Sequence, residues 1–212
     1  MFDRFDYSHD LFHWVKTDYE GENEELAAEY AYDVMVKIIK DGFLISSGKD
    51  TFKRIKSICF TESPLEVMRH QTSKYTKFGF AFNKVKIFEM GGRHVIYQPK
   101  CEACNLPKSL HWRHVTYDPT NVSFKRKDGV NFTWEREWRL NKKELSIKHA
   151  NKIIVPNKEY ADKILRVLYD VRDINEAYWL FGSDSALSPD DYDQYTDCVK
   201  HLIVVFDQIQ AA

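Results

Sequence analysis

The 212-residue chain sets 31 Lys+Arg against 32 Asp+Glu and is 43% hydrophobic and 15% aromatic, a balance that supports one packed core and excludes a protein whose main task is to coat nucleic acid. The strongest apolar run, Leu202 to Phe206, is far too short to cross a bilayer, and "MFDRFDYSHDLFHW" lacks the basic start and apolar middle of a signal peptide. We therefore expect a single domain over residues 1–212, cytoplasmic and without membrane association. Its four cysteines, Cys59, Cys101, Cys104 and Cys198, are too few and too unevenly spaced for a disulfide framework.

Asp10 to Lys16 ("DLFHWVK") alternates as a strand, with Leu11, His13 and Val15 on one face and Phe12 and Trp14 on the other. From Asn23 to Lys40, Leu26, Ala27, Tyr30, Val34 and Ile38 recur at helical spacing. Asn23 can cap the start, the first turn is acidic, and Gly42 supplies the stop. Lys49 to Lys56 is one of two short basic stretches, and such runs are usually solvated loops.

Ile55 to Phe60 reads as a second strand. Ser63-Pro64-Leu65-Glu66 combines an N-cap serine, a proline at the first helical position and a capping-box glutamate, which predicts a helix to about Lys74. "FAFNKV" and "HVIYQP" are rich in aromatic and β-branched residues and predict strands. Phe78, Phe80 and Phe82 alternate as one face of an ordinary strand core.

A polar stretch follows that holds the second basic run, Lys125-Arg126-Lys127, and the sequence "CEACNLPKSLHWRH". Cys101, Cys104, His111 and His114 stand there as C-x2-C-x6-H-x2-H, a set that could complete a tetrahedral structural zinc site. The alternative is a loop with two ordinary thiols. A redox CxxC fits less well, because this one does not open a helix after a strand.

"FTWEREWRL" (132–140) and "KIIVP" (152–156) predict two more strands. A helix follows from Lys158 to about Tyr169 and a last one opens at Ser188-Pro189, so that residues 158–212 are mostly helical. The order of elements predicts an α+β fold with an antiparallel-rich mixed sheet.

Strand periodicity over 132–140 puts Glu135, Glu137 and Arg139 on one face and Trp134, Arg136 and Trp138 on the other. Two same-face carboxylates need a positive or hydrogen-bonding partner, which Arg139 could be. On spacing alone an exposed Arg–Glu ladder explains the pattern slightly better.

The succession of "LFHWVK", a helix ending in "KDGFL", "ICFTESPLEVMRHQTSKYTKFGFAFNK", "HVIYQ", "FTWEREWRL" and "KIIVP" resembles the AbiGi family of bacterial abortive-infection, phage-resistance proteins, over roughly residues 10 to 168. That family is similar in block order to the ADP-ribosyltransferase fold, a split sheet clasping NAD between its halves.

The resemblance implies NAD as substrate. It also implies His13 in the first NAD-binding block, Thr61 or Ser63 with Tyr75 in the second, and Glu137 as the catalytic carboxylate, with Glu135 orienting or deprotonating the acceptor. Tyr75, Phe78 or Phe80 would stack on nicotinamide, and Arg139 would belong to the same site. A histidine in the first block usually accompanies a tyrosine in the second, whereas "FTES" offers hydroxyls and Tyr75 follows a helix, so the second block stays open. The implied partners are a nucleic-acid or protein acceptor and a cognate toxin or antitoxin. Two other readings compete: a non-catalytic, antitoxin-like binding protein, and a metal-dependent nuclease using Glu135 and Glu137 as ligands.

Overall fold

A computed structural model describes residues 7–49, 51–68, 75–124, 127, 129–172 and 200–209. In chain order its strands are β1 (Asp10–Trp14), β2 (Phe43–Ile45), β3 (Ile58–Phe60), β4 (Gly79–Asn83), β5 (Arg93–His94), β6 (Ile96–Gln98), β7 (His114–Thr116), β8 (Trp138–Leu140), β9 (Glu144–Ser146), β10 (Ala150–Val155) and β11 (Ile203–Val205). The α-helices are α1 (Glu24–Asp41), α2 (Leu65–Met68), α3 (Lys84–Glu89) and α4 (Lys158–Arg172). The predicted helix opening at Ser188, and the remainder of the helix expected to run to Lys74, lie outside the described residues.

Two sheets frame the molecule. One has the order β1-β4-β10-β11 and the other β3-β8-β5, with the two-stranded pairs β2-β9 and β6-β7 beside them. Five of the strand pairs described are antiparallel and two are parallel, so the chain is α+β with antiparallel pairing dominant. The two main sheets are joined where Phe12 of β1 and Thr61, just past β3, exchange N–H···O bonds, both 2.8 Å long. That bridge sets His13 of β1 beside the end of β3.

The core lies between the first sheet and helices α1 and α4. Leu11, Phe78, Phe80 and Phe82 from the sheet meet Ala31, Met35 and Ile39 of α1 and Ile164 and Leu168 of α4. Asn23 caps α1 as its sequence predicts, its side chain accepting from the N–H groups of Glu25 and Leu26. Gly42 ends the helix in the left-handed conformation at φ 75°.

The buried line of α1 differs from the predicted face. Leu26 and Tyr30 are about half exposed, and Ala31, Met35 and Ile39, spaced four apart, carry the contact with the sheet. Gly79 has a requirement of its own, because a Cβ there would stand 2.9 Å from the His13 carbonyl and 3.1 Å from the Trp14 ring. Its missing side chain lets β1 and β4 approach at the residue pair next to His13.

Residues 132–140 are not one strand. Thr133–Glu135 form a 3-10 turn, Arg136 is left-handed at φ 48°, ψ 49°, and only Trp138–Leu140 pair as β8. The predicted Trp134/Arg136/Trp138 face therefore does not exist. Trp138 enters the main core, Trp134 packs against a second cluster with Phe12, Trp14 and Phe206, and Arg136 turns toward Glu62, its Nε 3.6 Å from the carboxylate. The expected cap of α2 also differs: the Ser63 hydroxyl donates to the Trp134 carbonyl, tying the start of that helix to the 132–137 turn.

Candidate functional site

A cavity of about 650 Å³ opens along the Phe12/Thr61 junction. His13, Thr61, Tyr75, Glu135, Glu137 and Arg139 all line it. Ser63 and Phe78 are not among its lining residues: Ser63 is buried against Trp134, and Phe78 is fully buried with its ring edge-on to Tyr160.

The left-handed residue Arg136 explains why both glutamates face one cavity although no continuous strand links them. The backbone reverses between them, and strand geometry resumes only at Trp138. Two backbone anchors hold this turn. Glu62 N–H donates to the Glu135 carbonyl at 3.1 Å. The Tyr97 hydroxyl accepts from Glu137 N–H at 3.0 Å and donates to the Phe132 carbonyl at 3.1 Å, closing the turn from outside.

Arg139 is the buried electrostatic anchor. Its Nε donates to Glu137 Oε1 at 2.7 Å, and Nη1 donates to the carbonyls of Trp112 and His114 at 2.9 and 3.0 Å. Burial works against the guanidinium charge, but the Glu137 carboxylate more than offsets it and holds Arg139 above its ordinary range. Glu137 is thereby fixed through Oε1 while Oε2 keeps its capacity as an acceptor.

Tyr75 and Thr61 form a second network. Burial, followed by the neighbouring Glu135 charge, raises the Tyr75 phenol well above its usual range. Its hydroxyl is hydrogen-bonded to Glu135 and to the Thr61 side chain. Glu135 thus has a neutral donor on it, whereas Glu137 is bonded to the Arg139 guanidinium. Such an arrangement separates the roles of paired acids.

His13 hydrogen-bonds through Nδ1 to the Cys59 carbonyl at 2.9 Å. A carbonyl only accepts, so Nδ1 carries the hydrogen and the neutral ring presents Nε2 as an acceptor. Burial lowers the His13 pKa to about 4, which keeps the ring neutral across the physiological range. The Cys59 thiol, in the same cavity, is pushed up to about 11 by burial and then by the Glu137 charge. It is protonated and unsuited to act as a nucleophile.

Cys101, Cys104, His111 and His114 are not gathered into a metal cage. Both cysteines are exposed, and among the described residues no group of three or more His, Cys, Asp or Glu is placed to hold a metal ion. The histidines pack instead against Phe52, with ring centroids at 5.3 Å for His111 and 5.1 Å for His114. His111 Nε2 also contacts the Leu106 carbonyl at 3.0 Å. This stretch serves the cavity by supplying the His114 and Trp112 carbonyls that hold Arg139.

Sequence reasoning missed Tyr97 and Glu62. Glu62 is buried behind the cavity, where Lys84 Nζ lies 2.9 Å and the Trp138 indole N–H 3.0 Å from its carboxylate. Burial works against its ionisation, but these donors and the Lys84 and Arg136 charges hold its pKa below the usual glutamate value. In sequence the signal was the glutamate inside "FTES", a charged residue directly after a buried strand; Tyr97 carried none.

Chemically, the cavity offers two carboxylates, a neutral imidazole acceptor, phenol and hydroxyl donors, and aromatic walls. Arg139 occupies one oxygen of Glu137, and the other oxygen could accept from a substrate hydroxyl. Comparison with protein-family models, with curated proteins and with solved structures returned no match.

Proposed function

We propose that this protein is an ADP-ribosyltransferase-like effector that uses NAD as substrate, in keeping with the AbiGi-like, phage-defence or toxin–antitoxin character that its sequence resembles. One observation carries the reading. His13 of β1, Thr61 after β3, Tyr75, and Glu135 and Glu137 at the entry to β8 come from four separated parts of the chain and line one cavity between two joined sheets. A split sheet with a cleft at its junction is what the resemblance to the ADP-ribosyltransferase fold implies.

The residues fit the chemistry of such a substrate. Breaking the nicotinamide–ribose bond passes through a transition state of oxocarbenium character, which a fixed carboxylate stabilises. Glu137, held through Oε1 by Arg139, would accept from the ribose 2′-hydroxyl through its other oxygen. Glu135, linked to neutral Tyr75, would take the proton of the acceptor nucleophile. His13 would accept a substrate hydroxyl or amide N–H at Nε2, and Tyr75 supplies an aromatic face for nicotinamide. On this reading Thr61 and Tyr75 together would form the second block of the site.

The test is transfer of label from adenine-labelled NAD to macromolecules in a bacterial lysate by the wild-type protein and by Glu137→Gln. Labelling by the wild type alone supports the reading. Equal labelling by both would assign transfer to something other than this site, and none by either would favour a non-catalytic, antitoxin-like binding role.

A further inference from the structure

The cavity has a charge pattern that its floor does not account for. Lys16, Lys49, Lys53 and Lys100 line it and all four are exposed, whereas Glu135, Glu137 and Arg139 at its floor are buried. These lysines come from separate stretches of chain: the residues just past β1, Lys49, the 3-10 turn Phe52–Arg54, and the start of the 3-10 turn at Lys100–Asn105. The whole chain carries a net charge of −1, so four exposed lysines lining one cavity are a local departure from its average.

Lys49 makes an ion pair with Asp18 at 3.2 Å. Both side chains are largely exposed, at 73% and 98%, so that contact is weak and exchanges readily for another anion. Lys53 Nζ lies 5.2 Å from the centroid of the neighbouring Phe52 ring. Among the described residues no carboxylate pairs with Lys16, Lys53 or Lys100.

Two half-buried aromatic rings, Phe52 and Phe132, line the same opening. Phe52 packs edge-on against His111 and at a tilt against His114. Exposed cations around aromatic faces suit a strand whose phosphates track the lysines while its bases stack within. A dinucleotide brings only the two charges of its pyrophosphate. Four cations distributed around the rim match a longer phosphodiester chain.

Building on the function proposed above, we propose that this lysine rim binds the phosphate backbone of single-stranded nucleic acid, so that the acceptor of ADP-ribose is a nucleobase. A base inside a duplex cannot reach a buried carboxylate, which selects an unpaired strand. In the transfer, the bond from the ribose anomeric carbon to nicotinamide breaks and nicotinamide leaves with the electron pair. A nucleobase nitrogen forms the new bond to that carbon, and the proton it loses passes to Glu135 and then to water.

The test is fluorescence anisotropy of labelled single-stranded DNA and RNA of about 12 nucleotides, without NAD, against the full chain over a salt series. Four phosphate contacts predict a log–log salt slope of about −2.8, an affinity loss of about 50-fold between about 50 and 200 mM salt. The double variant Lys53→Gln/Lys100→Gln should halve the slope to about −1.4, a loss of about 7-fold over the same range. The pair Lys16→Gln/Lys49→Gln should do the same and serves if the first variant loses its native near-ultraviolet circular dichroism.

No saturable binding at about 50 mM salt, an unchanged slope in a folded double variant, or equal affinity for duplex overturns the proposal. Nicotinamide release from NAD, measured in parallel without oligonucleotide, separates the two claims. Release without strand binding removes the acceptor assignment and leaves the NAD reading. Strand binding without release leaves the rim as a nucleic-acid site and removes the NAD reading.

Discussion

Replacing Arg139 with methionine removes the cation bonded to Glu137 while keeping the length and much of the volume of the side chain. The side chains of Arg139 and Glu137 are only 4% and 11% exposed, so the glutamate left behind has little access to water. Three hydrogen bonds are lost: the 2.7 Å contact to Glu137 and those to the Trp112 and His114 carbonyls. Removing one partner of a buried ion pair costs about 3 to 5 kcal/mol, part of it from stranded acceptors.

We take about 4 kcal/mol, which in a domain of this size corresponds to a fall in melting temperature of about 8 to 16 °C. Adding Glu137→Gln to the variant removes the stranded charge and should recover about 2 kcal/mol, leaving the two carbonyls unsatisfied. Urea unfolding of the three proteins provides the free energies. A loss below about 1 kcal/mol in Arg139→Met, or a double variant no more stable than the single one, would refute the view that this pair is a buried, mutually dependent unit.

Two further outcomes follow from the site. Tyr97→Phe deletes the hydroxyl bridging Glu137 N–H and the Phe132 carbonyl. It should cost about 1 to 2 kcal/mol of stability and lower the kcat of nicotinamide release by about tenfold with little change in KM, because it positions Glu137 without touching substrate; an unchanged kcat in the folded variant argues against that role. His13 has its folded-state pKa depressed from 6.5 to about 4, so the unfolded chain binds the extra proton between those values and stability falls as pH drops from 6.5 toward 4. Between pH 4.5 and 7 the share carried by His13 is about 2.4 kcal/mol, and it should be missing from the pH dependence of His13→Gln in urea unfolding at those two pH values. A variant whose pH dependence equals the parent's contradicts the burial argument.

What the sequence made legible was whatever local chemistry decides. The alternation of "DLFHW" defined β1, and Asn23 with Gly42 bounded α1, because caps and side-chain period act within a few residues. The face of α1 was displaced: Leu26 and Tyr30 are half exposed while Ala31, one residue past Tyr30, is fully buried, and no local pattern reports which line of a helix the sheet will cover.

The hexapeptide "WEREWR" misled for a backbone reason. Arg136 adopts a left-handed conformation that glycine or asparagine would have signalled, and arginine does not. The pairing of Glu135 with Glu137 on one cavity nonetheless arises, through a turn instead of a strand. Tyr97 was invisible because its function is to bind backbone 35 and 40 residues away. The histidines of "CEACNLPKSLHWRH" read as ligands by spacing, and their packing against Phe52 is a contact that spacing does not report. The parallel pairing of β10 with β11 joins Ile153 to Ile203, a contact that the apolar run at Leu202 to Phe206 hints at without naming its partner.

The central claim is that Glu137 acts on NAD in the cavity between the two sheets. Its most direct test is the rate of nicotinamide release from NAD by the purified wild-type chain and by Glu137→Gln, each shown to be folded by circular dichroism. The account predicts measurable release by the wild type and a rate at least about 100-fold lower in the variant, the loss expected when a preorganised transition-state partner is removed. No release by the wild type, or the same rate from both proteins, contradicts it.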